Sequence, residues 1–318
     1  MLKKIISTVI ALSISSVAFV APSNAVTPST PKALVSAAWL KANLNDPNLV
    51  LLHVGDADNS VYVRGHIEGA QFINWKTDLA NSSESKLKNG VVTRTKFYSV
   101  ARHFGINKNS TVVLYSEAKS NLKATWGAWV FNLYGAPDVR ILDGGLGAWT
   151  AAGGTTTFAV PATKTVGNWI AAPASTKLRA KIEEVIANAQ STAKDKAVIV
   201  DTRDTASFDG KSAATGLGVA ATAGHIASAK SIPTASLLKA DGTFKPAADI
   251  AAAYAAVGVT KDTPVLLYCG TGLLASASWF ALTQILGYTN VKNYDGSWYE
   301  FSATAPATLI ENPAKASK

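Results

Sequence analysis

Three short segments occur twice in this chain, in the same order and at similar intervals. The matching pairs are GHIEGA and GHIASA, VVLYS and VLLYC, and VRILDGG and VKNYDGS. The interval from His66 to Ser116 is 50 positions, and the interval from His225 to Cys269 is 44. Self-similarity that keeps both order and spacing indicates two copies of one domain.

Each copy alternates short apolar segments with longer helical ones. In the second copy the apolar segments are AVIVDTR, PVLLYC and VKNYDGS, and the helical ones are DIAAAYAAVGV and SASWFALTQILGY. The apolar segments are continuous, which is typical of strands covered on both faces. Each copy is therefore predicted to be an α/β domain with a mostly parallel central sheet flanked by helices.

The first 25 residues have the pattern of a secretory signal peptide. Two lysines precede an apolar stretch, and the SNA triplet ending at Ala25 fits a cleavage site. The alternative is a membrane anchor, but the stretch is short for a bilayer span and no stop-transfer charges follow it. We expect a periplasmic or secreted bacterial protein with no stable membrane insertion after cleavage. The predicted organisation is a signal peptide at 1–25, an N-terminal domain at 32–152, a linker at 153–176 and a C-terminal domain at 177–310.

Charge and cysteine content narrow the function further. The formal net charge of +9 is spread along the chain without basic-aromatic clusters, so nucleic acid is not an expected partner. Cys269 is the only cysteine and cannot form an intrachain disulfide. An unpaired thiol in an exported protein suggests reactivity or intermolecular pairing, whereas the alternative is an inert, buried side chain.

The residues around Cys269 favour the reactive interpretation. Cys269 follows a predicted strand and precedes a helix expected to begin near Ala275 and Ser276, which is where open α/β sheets bind ligands. Gly270 and Gly272 allow successive backbone N–H groups to converge on one centre, and the helix dipole adds positive potential there. Both features stabilise a thiolate, so Cys269 is predicted to be a nucleophile in an anion-binding loop.

Two chemistries use such a loop. Cysteine phosphatases need an arginine at the position occupied here by Ala275, and the loop offers no basic residue. The loop therefore argues against phosphatase activity, which the absence of p-nitrophenyl phosphate hydrolysis would reject, and favours sulfur transfer. In that reaction a thiolate accepts a sulfane sulfur as a persulfide and passes it to a second nucleophile.

These segments resemble the rhodanese family, in particular its tandem two-domain sulfurtransferases. RGHIEGAQFINWKTDL and VRILDGGLGAW are similar to family segments in the first half. VDTR, GHI, CGTGLL and NVKNYDGSWYEF are similar in the second. The resemblance implies a catalytic C-terminal domain whose nucleophile is Cys269 and an inactive N-terminal domain with Ser116 at the equivalent position. It also implies no metal or organic cofactor, and a persulfide stabilised by the loop residues Gly270, Thr271, Gly272, Leu273 and Leu274.

The resemblance implies an anionic sulfur donor and a thiophilic acceptor such as cyanide, a thiol or a protein. Thiosulfate is the expected donor, and 3-mercaptopyruvate is the alternative because the loop is neutral. Against mercaptopyruvate, Ser207 lies about where those enzymes carry a substrate-binding arginine. A non-catalytic persulfide carrier or interaction module is a further alternative. Arg203, Lys211 and Asp78 are candidate donor-binding residues, although an arginine such as Arg203 more often pairs with an acid of its own domain.

Two other pairs of polar residues occur in both halves. His66 and His225 are interpreted as packing or turn-bonding residues, because one of them belongs to the half that lacks a nucleophile. Asp143 and Asp295 each precede a glycine and are interpreted as turn residues.

Overall fold

The structure is a computed structural model that describes residues 33–56, 58–80, 90–117, 121–136, 138–212 and 222–316. The predicted signal peptide lies outside these residues, as does the first residue of the predicted N-terminal domain. Within the described ranges, no helix is both long enough and apolar enough to cross a membrane.

The N-terminal half contains a five-stranded, fully parallel sheet and a two-stranded antiparallel ribbon. Its strands are β1 (Leu34–Val35), β2 (Leu49–Gly55), β3 (His66–Ile67), β4 (Gln71–Asn74), β5 (Thr111–Tyr115), β6 (Val139–Leu142) and β7 (Thr156–Thr157). Its helices are α1 (Ala37–Asn43), α2 (Ser60–Val63), α3 (Trp75–Asp78), α4 (Arg94–His103), α5 (Leu122–Leu133) and α6 (Gly145–Ala151). The sheet order is β1-β6-β5-β2-β4, and β3 pairs with β7.

The C-terminal half repeats this arrangement. Its strands are β8 (Arg179–Ala180), β9 (Val198–Asp201), β10 (His225–Ile226), β11 (Lys230–Ser231), β12 (Val265–Tyr268), β13 (Val291–Tyr294) and β14 (Ile310–Glu311). Its helices are α7 (Ile182–Gln190), α8 (Thr205–Phe208), α9 (Ala247–Ala255), α10 (Leu273–Phe280), α11 (Ser297–Thr304) and α12 (Pro313–Ala316). A π-helical turn, Ala281–Ile285, extends α10, and short 3-10 turns cover Thr234–Leu237 and Ala307–Leu309.

The two sheets have the same strand order, because β11-β9-β12-β13-β8 matches β4-β2-β5-β6-β1 strand for strand. All neighbouring strands in both sheets run parallel, which confirms the predicted α/β fold. The matched residues also make matched contacts. The amide of Ile67 donates to the Tyr115 hydroxyl at 3.1 Å, and the amide of Ile226 donates to the Tyr268 hydroxyl at the same distance.

The two histidines of the repeated GHI segment have structural contacts. His66 stacks on Tyr62 with ring centroids 3.8 Å apart, and His225 stacks on Phe208 at 3.7 Å. The Nδ1 atom of each ring lies within hydrogen-bond distance of the backbone oxygen of the residue on which it stacks. Both histidines are buried. These contacts agree with a packing and turn-bonding role.

One apolar core is shared by the two halves. It runs from β2 and β5 through α5 and α10 to β9 and β12, and it includes the buried rings of Trp126, Trp129, Trp279 and Phe280. Each half also has a smaller apolar cluster of its own, which covers the other face of its sheet. Helices α5 and α10 pack against each other, and the hydroxyls of Thr125 and Ser276 lie 3.0 Å apart between them. The N-terminal half therefore contacts the helix that begins next to Cys269.

Asp143 and Asp295 do more than shape turns. The amide of Phe244 in the C-terminal half donates to the Asp143 carboxylate at 3.0 Å, and the amide of Val91 in the N-terminal half donates to Asp295 at 3.0 Å. Arg179 also forms an ion pair with Asp295 at 2.8 Å. Equivalent carboxylates thus link the two halves reciprocally, which corrects their interpretation as turn residues alone.

The predicted linker packs along the N-terminal half. Its amides at Gly167 and Trp169 donate to the backbone oxygens of Arg102 and Ile106, and the Trp169 ring is buried. These bonds satisfy backbone groups that a free loop would leave to water. The segment is an ordered layer on this half although it contains little regular secondary structure.

Candidate active site

Cys269 directly follows β12, which lies between β9 and β13 in the middle of the sheet. The carboxyl ends of parallel strands meet at one edge, so this residue lies at the edge where α/β proteins bind ligands. Its side chain is 1% exposed. A buried position at this edge restricts the thiol to partners that fit the loop around it.

The loop after Cys269 turns sharply at Gly272. Gly272 has a φ of +85°, and its amide donates to the Cys269 Sγ at 3.1 Å. Helix α10 begins at the next residue, earlier than the expected start near Ala275, so Leu273 and Leu274 form its first turn. The sulfur therefore accepts a backbone N–H at the positive end of a helix, where negative charge is stabilised.

Two consecutive residues hold the backbone of Cys269. The Ser297 hydroxyl accepts the Cys269 amide at 3.1 Å and donates to the Tyr294 backbone oxygen at 2.7 Å. The Trp298 amide donates to the Cys269 backbone oxygen at 2.9 Å. They are the first two residues of α11, directly after the short turn that follows β13, so the start of this helix fixes the main chain of Cys269 in place.

The back of the loop is closely packed. A Cβ placed on Gly272 would lie 2.8 Å from the Cα of Asp295 and 3.0 Å from the ring of Trp126. The Asn293 side chain donates to the Gly272 backbone oxygen at 3.3 Å, and the Thr234 hydroxyl donates to that of Leu274 at 3.0 Å. Trp126 belongs to the N-terminal half, so both halves support the loop.

Arg203 lies at the same edge, but its guanidinium is engaged within its own domain. It forms a buried ion pair with Asp201 at 2.6 Å, donates to the Gly224 backbone oxygen at 2.7 Å, and stacks over the Trp298 ring. Burial alone would lower the pKa of Arg203, but the hydrogen bond and charge of Asp201 outweigh burial and raise it. These contacts explain how a charged arginine is stable at 4% exposure.

The other two candidate donor-binding residues have local contacts. Lys211 is exposed and pairs with Asp209 at 2.9 Å. Asp78 accepts the amide of Asn74 at 3.0 Å, at the start of α3. Neither of these contacts reaches the Cys269 loop, and the assignment of Asp78, Lys211 and Arg203 to donor binding stays a prediction.

Ser116 occupies the matching position at the end of β5 and is fully buried. Its hydroxyl accepts the amide of Ala124 at 2.8 Å, in the first turn of α5. Its own amide donates to the Asn121 side chain at 2.9 Å. A hydroxyl used in this way stabilises the start of a helix, and the hydrogen bonds given for Ser116 in the described part of the chain involve no basic side chain.

Sequence reasoning missed Ser297, Asn293 and the role of Trp126. A signal for Ser297 was present, because the repeated DGG and DGS segments differ at its position and nowhere else. No comparable signal marked Trp126, since a buried tryptophan is usually core and its contact with the loop depends on how the halves pack. Among the described residues, no group of three or more His, Cys, Asp or Glu side chains could hold a metal ion.

The arrangement suits covalent sulfur chemistry. A thiolate at Sγ has an N–H donor within hydrogen-bond distance and the positive end of a helix beside it. The same groups can stabilise the terminal sulfur of a persulfide formed there, because that sulfur carries the negative charge after transfer.

Comparison with known proteins agrees with this chemistry. The chain matches the family model described as "Rhodanese-like domain" at residues 36–152 and again at 183–304. It is 35% identical over 277 residues to the sulfur carrier protein TtuD of Thermus thermophilus, covering 85% of this chain and 94% of that one. It is also 34% identical over 279 residues to the putative thiosulfate sulfurtransferase 1 of Mycobacterium bovis, covering 87% of this chain and 96% of that one.

Solved structures share the fold. The anaerobic ergothioneine biosynthesis enzyme of Chlorobium limicola superposes with a TM-score of 0.77 at 25% identity, covering 88% of this chain and 70% of that one. The 3-mercaptopyruvate sulfurtransferase SseA of Escherichia coli superposes with a TM-score of 0.70 at 26% identity, covering 84% of this chain and 99% of that one. With two matched domains and relatives aligned along nearly their whole length, the chain belongs to the rhodanese family and is a tandem-domain sulfurtransferase.

Proposed function

We propose that this sulfurtransferase takes sulfur from thiosulfate as a persulfide on Cys269. The Cys269 thiolate attacks the outer sulfur of thiosulfate, a new S–S bond forms, and the original S–S bond breaks as sulfite leaves with the electron pair. A thiophile such as cyanide then attacks the outer sulfur of the persulfide. Thiocyanate leaves and the thiolate is restored, so no oxidant or reductant is needed.

The observation that carries this proposal is the bond from the Gly272 amide to the Cys269 Sγ at the start of α10. Negative charge resides on sulfur in both forms of the enzyme, and one N–H donor serves both. Uncharged loop residues suffice for this task because the main chain supplies the stabilisation. Ser116 occupies the matching position but carries a hydroxyl in place of a thiol, so we assign the N-terminal half a supporting role.

Thiosulfate is favoured as donor by the relatives named putative thiosulfate sulfurtransferases. 3-Mercaptopyruvate is the second candidate, favoured by the neutral loop and by the structural similarity to SseA. Its transfer would use the same thiolate attack and release pyruvate. A carrier role is a third candidate, since TtuD is named a sulfur carrier protein and is similar over most of the chain.

One preparation can separate these candidates. Incubation with thiosulfate should add the mass of one sulfur atom to the intact protein, and cyanide should remove it. Cys269→Ser should take up no sulfur, and the matched variant Ser116→Ala should load like the wild type. Loading of Cys269→Ser would overturn the proposal.

Turnover then identifies the donor. Sulfite release from thiosulfate and pyruvate release from 3-mercaptopyruvate are measured under multiple-turnover conditions with cyanide as acceptor. The proposal expects sulfite release to be the faster reaction. Faster pyruvate release would assign the second candidate, and stoichiometric loading without further turnover would assign the carrier.

We also propose that the protein acts outside the cytoplasm, from the signal-peptide pattern of its first 25 residues. N-terminal sequencing of the protein from the extracytoplasmic fraction should then begin near Val26. Recovery of the uncleaved chain in the cytoplasm would refute this location.

A further inference from the structure

Ser297 has a backbone conformation that favours glycine. Its φ is +53°, and it is fully buried at the first position of α11. The matching residue of the N-terminal half is Gly145, with a φ of +56°. The repeated turn therefore requires a left-handed residue, and only the half that contains the cysteine places a non-glycine residue there, against the usual preference.

The hydroxyl of Ser297 gives a reason for this exception. It accepts the Cys269 amide and donates to the Tyr294 backbone oxygen, so it is fixed in direction as well as position. Glycine at 297 would leave the buried amide of Cys269 without this acceptor. An unsatisfied buried N–H is unfavourable. Loss of this hydrogen bond would also release the backbone of Cys269, the residue that bears the thiol.

The N-terminal half satisfies the same amide differently. There the Ser116 amide donates to the side chain of Asn121, five residues further along. The residue that directly precedes α10, as Asn121 directly precedes α5, is Gly272, which has no side chain to act as an acceptor. The loop with the thiol thus depends on a residue outside itself, and Ser297 supplies the missing acceptor.

The turn that carries Ser297 is itself anchored. Asp295, two residues earlier, accepts the Val91 amide from the N-terminal half and forms the ion pair with Arg179. It also packs against Gly272, whose amide contacts the sulfur. Movement of the hydroxyl away from Cys269 is therefore opposed by contacts from both halves.

We propose that Ser297 is a positioning residue, which holds the Cys269 main chain so that Sγ remains at the Gly272 amide. The inference rests on the proposed function, because it takes Cys269 as the nucleophile. Ser297 acts through the main chain of Cys269, because its hydroxyl is engaged by the Cys269 amide and the Tyr294 backbone oxygen. Its loss should slow the chemical step and leave donor binding unchanged.

The test compares Ser297→Gly with Asn121→Ala. Ser297→Gly removes the hydroxyl but keeps a residue that adopts the left-handed conformation without strain. Relief of that strain offsets part of the cost of the unpaired Cys269 amide, so the variant should fold, and both variants are assayed below their thermal midpoints. Asn121→Ala removes the matching acceptor in the half without the nucleophile. We expect Ser297→Gly to lower kcat for sulfur transfer about tenfold at unchanged KM, whereas Asn121→Ala should leave kcat unchanged.

Alkylation of Cys269 by iodoacetamide provides a readout that needs no sulfur chemistry. Because the chain has one cysteine, the mass of the alkylated protein reports that site alone. Ser297→Gly should be alkylated about tenfold more slowly than the wild type, and Asn121→Ala at the wild-type rate. Wild-type kcat and alkylation rates in Ser297→Gly would overturn the positioning role. If Ser297→Gly is alkylated more slowly but the wild type transfers no sulfur, the proposed function is refuted and the positioning role is retained.

Discussion

Substitution of Gly272 by alanine should damage both stability and reactivity. Gly272 has a φ of +85°, a region that costs an L-amino acid about 1–2 kcal/mol. An added Cβ would also lie 2.8 Å from the Cα of Asp295, which belongs to the main chain and cannot rotate away. Overpacking of this kind costs about 1–3 kcal/mol.

Together the two effects predict a loss of about 2–5 kcal/mol in the free energy of unfolding. In a protein of this size that loss corresponds to a fall of the thermal midpoint on the order of 10 °C. Relief of the clash would displace the Gly272 amide from the Cys269 Sγ. Sulfur loading from thiosulfate should therefore slow by at least about tenfold at a temperature where the variant is folded.

Gly270→Ala is the matched control in the same loop. Gly270 is not in the left-handed region, and an added Cβ would meet only the Tyr299 ring, at 3.4 Å or more. Its unfolding free energy should stay within about 1 kcal/mol of wild type. Urea denaturation and the rate of sulfur loading are measured for both variants. Equal stability of Gly272→Ala and Gly270→Ala would refute the argument from backbone conformation and contact.

Two further substitutions probe buried charge. Burial, together with the charges of His66 and Lys123, lowers the pKa of His53 from 6.5 to about 4. The unfolded chain binds this proton at higher pH than the folded chain, so stability should be complete above pH 6.5 and fall by about 3 kcal/mol towards pH 4. His53→Leu should lessen this loss in urea titrations across that range, and an unchanged pH dependence would contradict the assignment. Arg203→Leu should cost about 3–5 kcal/mol by leaving Asp201 buried and unpaired, while KM for thiosulfate stays unchanged in the folded variant. A raised KM with normal stability would instead indicate that Arg203 binds the donor.

The fold could be predicted because its signals are local. Continuous apolar segments such as AVIVDTR and PVLLYC contain β9 and β12, and the repeat of the segments leads directly to two matching sheets. The Cys269 loop was predictable for the same reason, since Gly270, Gly272 and the following helix are neighbours in sequence. Helix α10 begins at Leu273 and not near Ala275 as predicted, because the left-handed conformation of Gly272 already turns the chain into the helix.

The contacts that complete the site join residues far apart in sequence. Ser297 lies 28 positions from the amide that it accepts, Asp143 lies 101 from Phe244, and Asp295 lies 204 from Val91. Periodicity and motifs report on neighbours along the chain, so they describe Asp143 and Asp295 only as residues of a turn. Their reciprocal bonds arise from the packing of the two halves, which no single segment specifies.

The N-terminal half therefore has a physical reason to remain attached. Trp126 packs against Gly272 from behind, Val91 holds the turn that carries Ser297, and Thr125 contacts Ser276 in α10. The contacts of Trp126 and Thr125 end on the loop and helix that follow Cys269, and that of Val91 ends on Asp295, two residues before Ser297. Because Ser116 uses its hydroxyl to stabilise α5, the serine keeps that supporting helix in place. The two copies have thus diverged in role while sharing one scaffold, with the first holding the loop in which the second places its thiol.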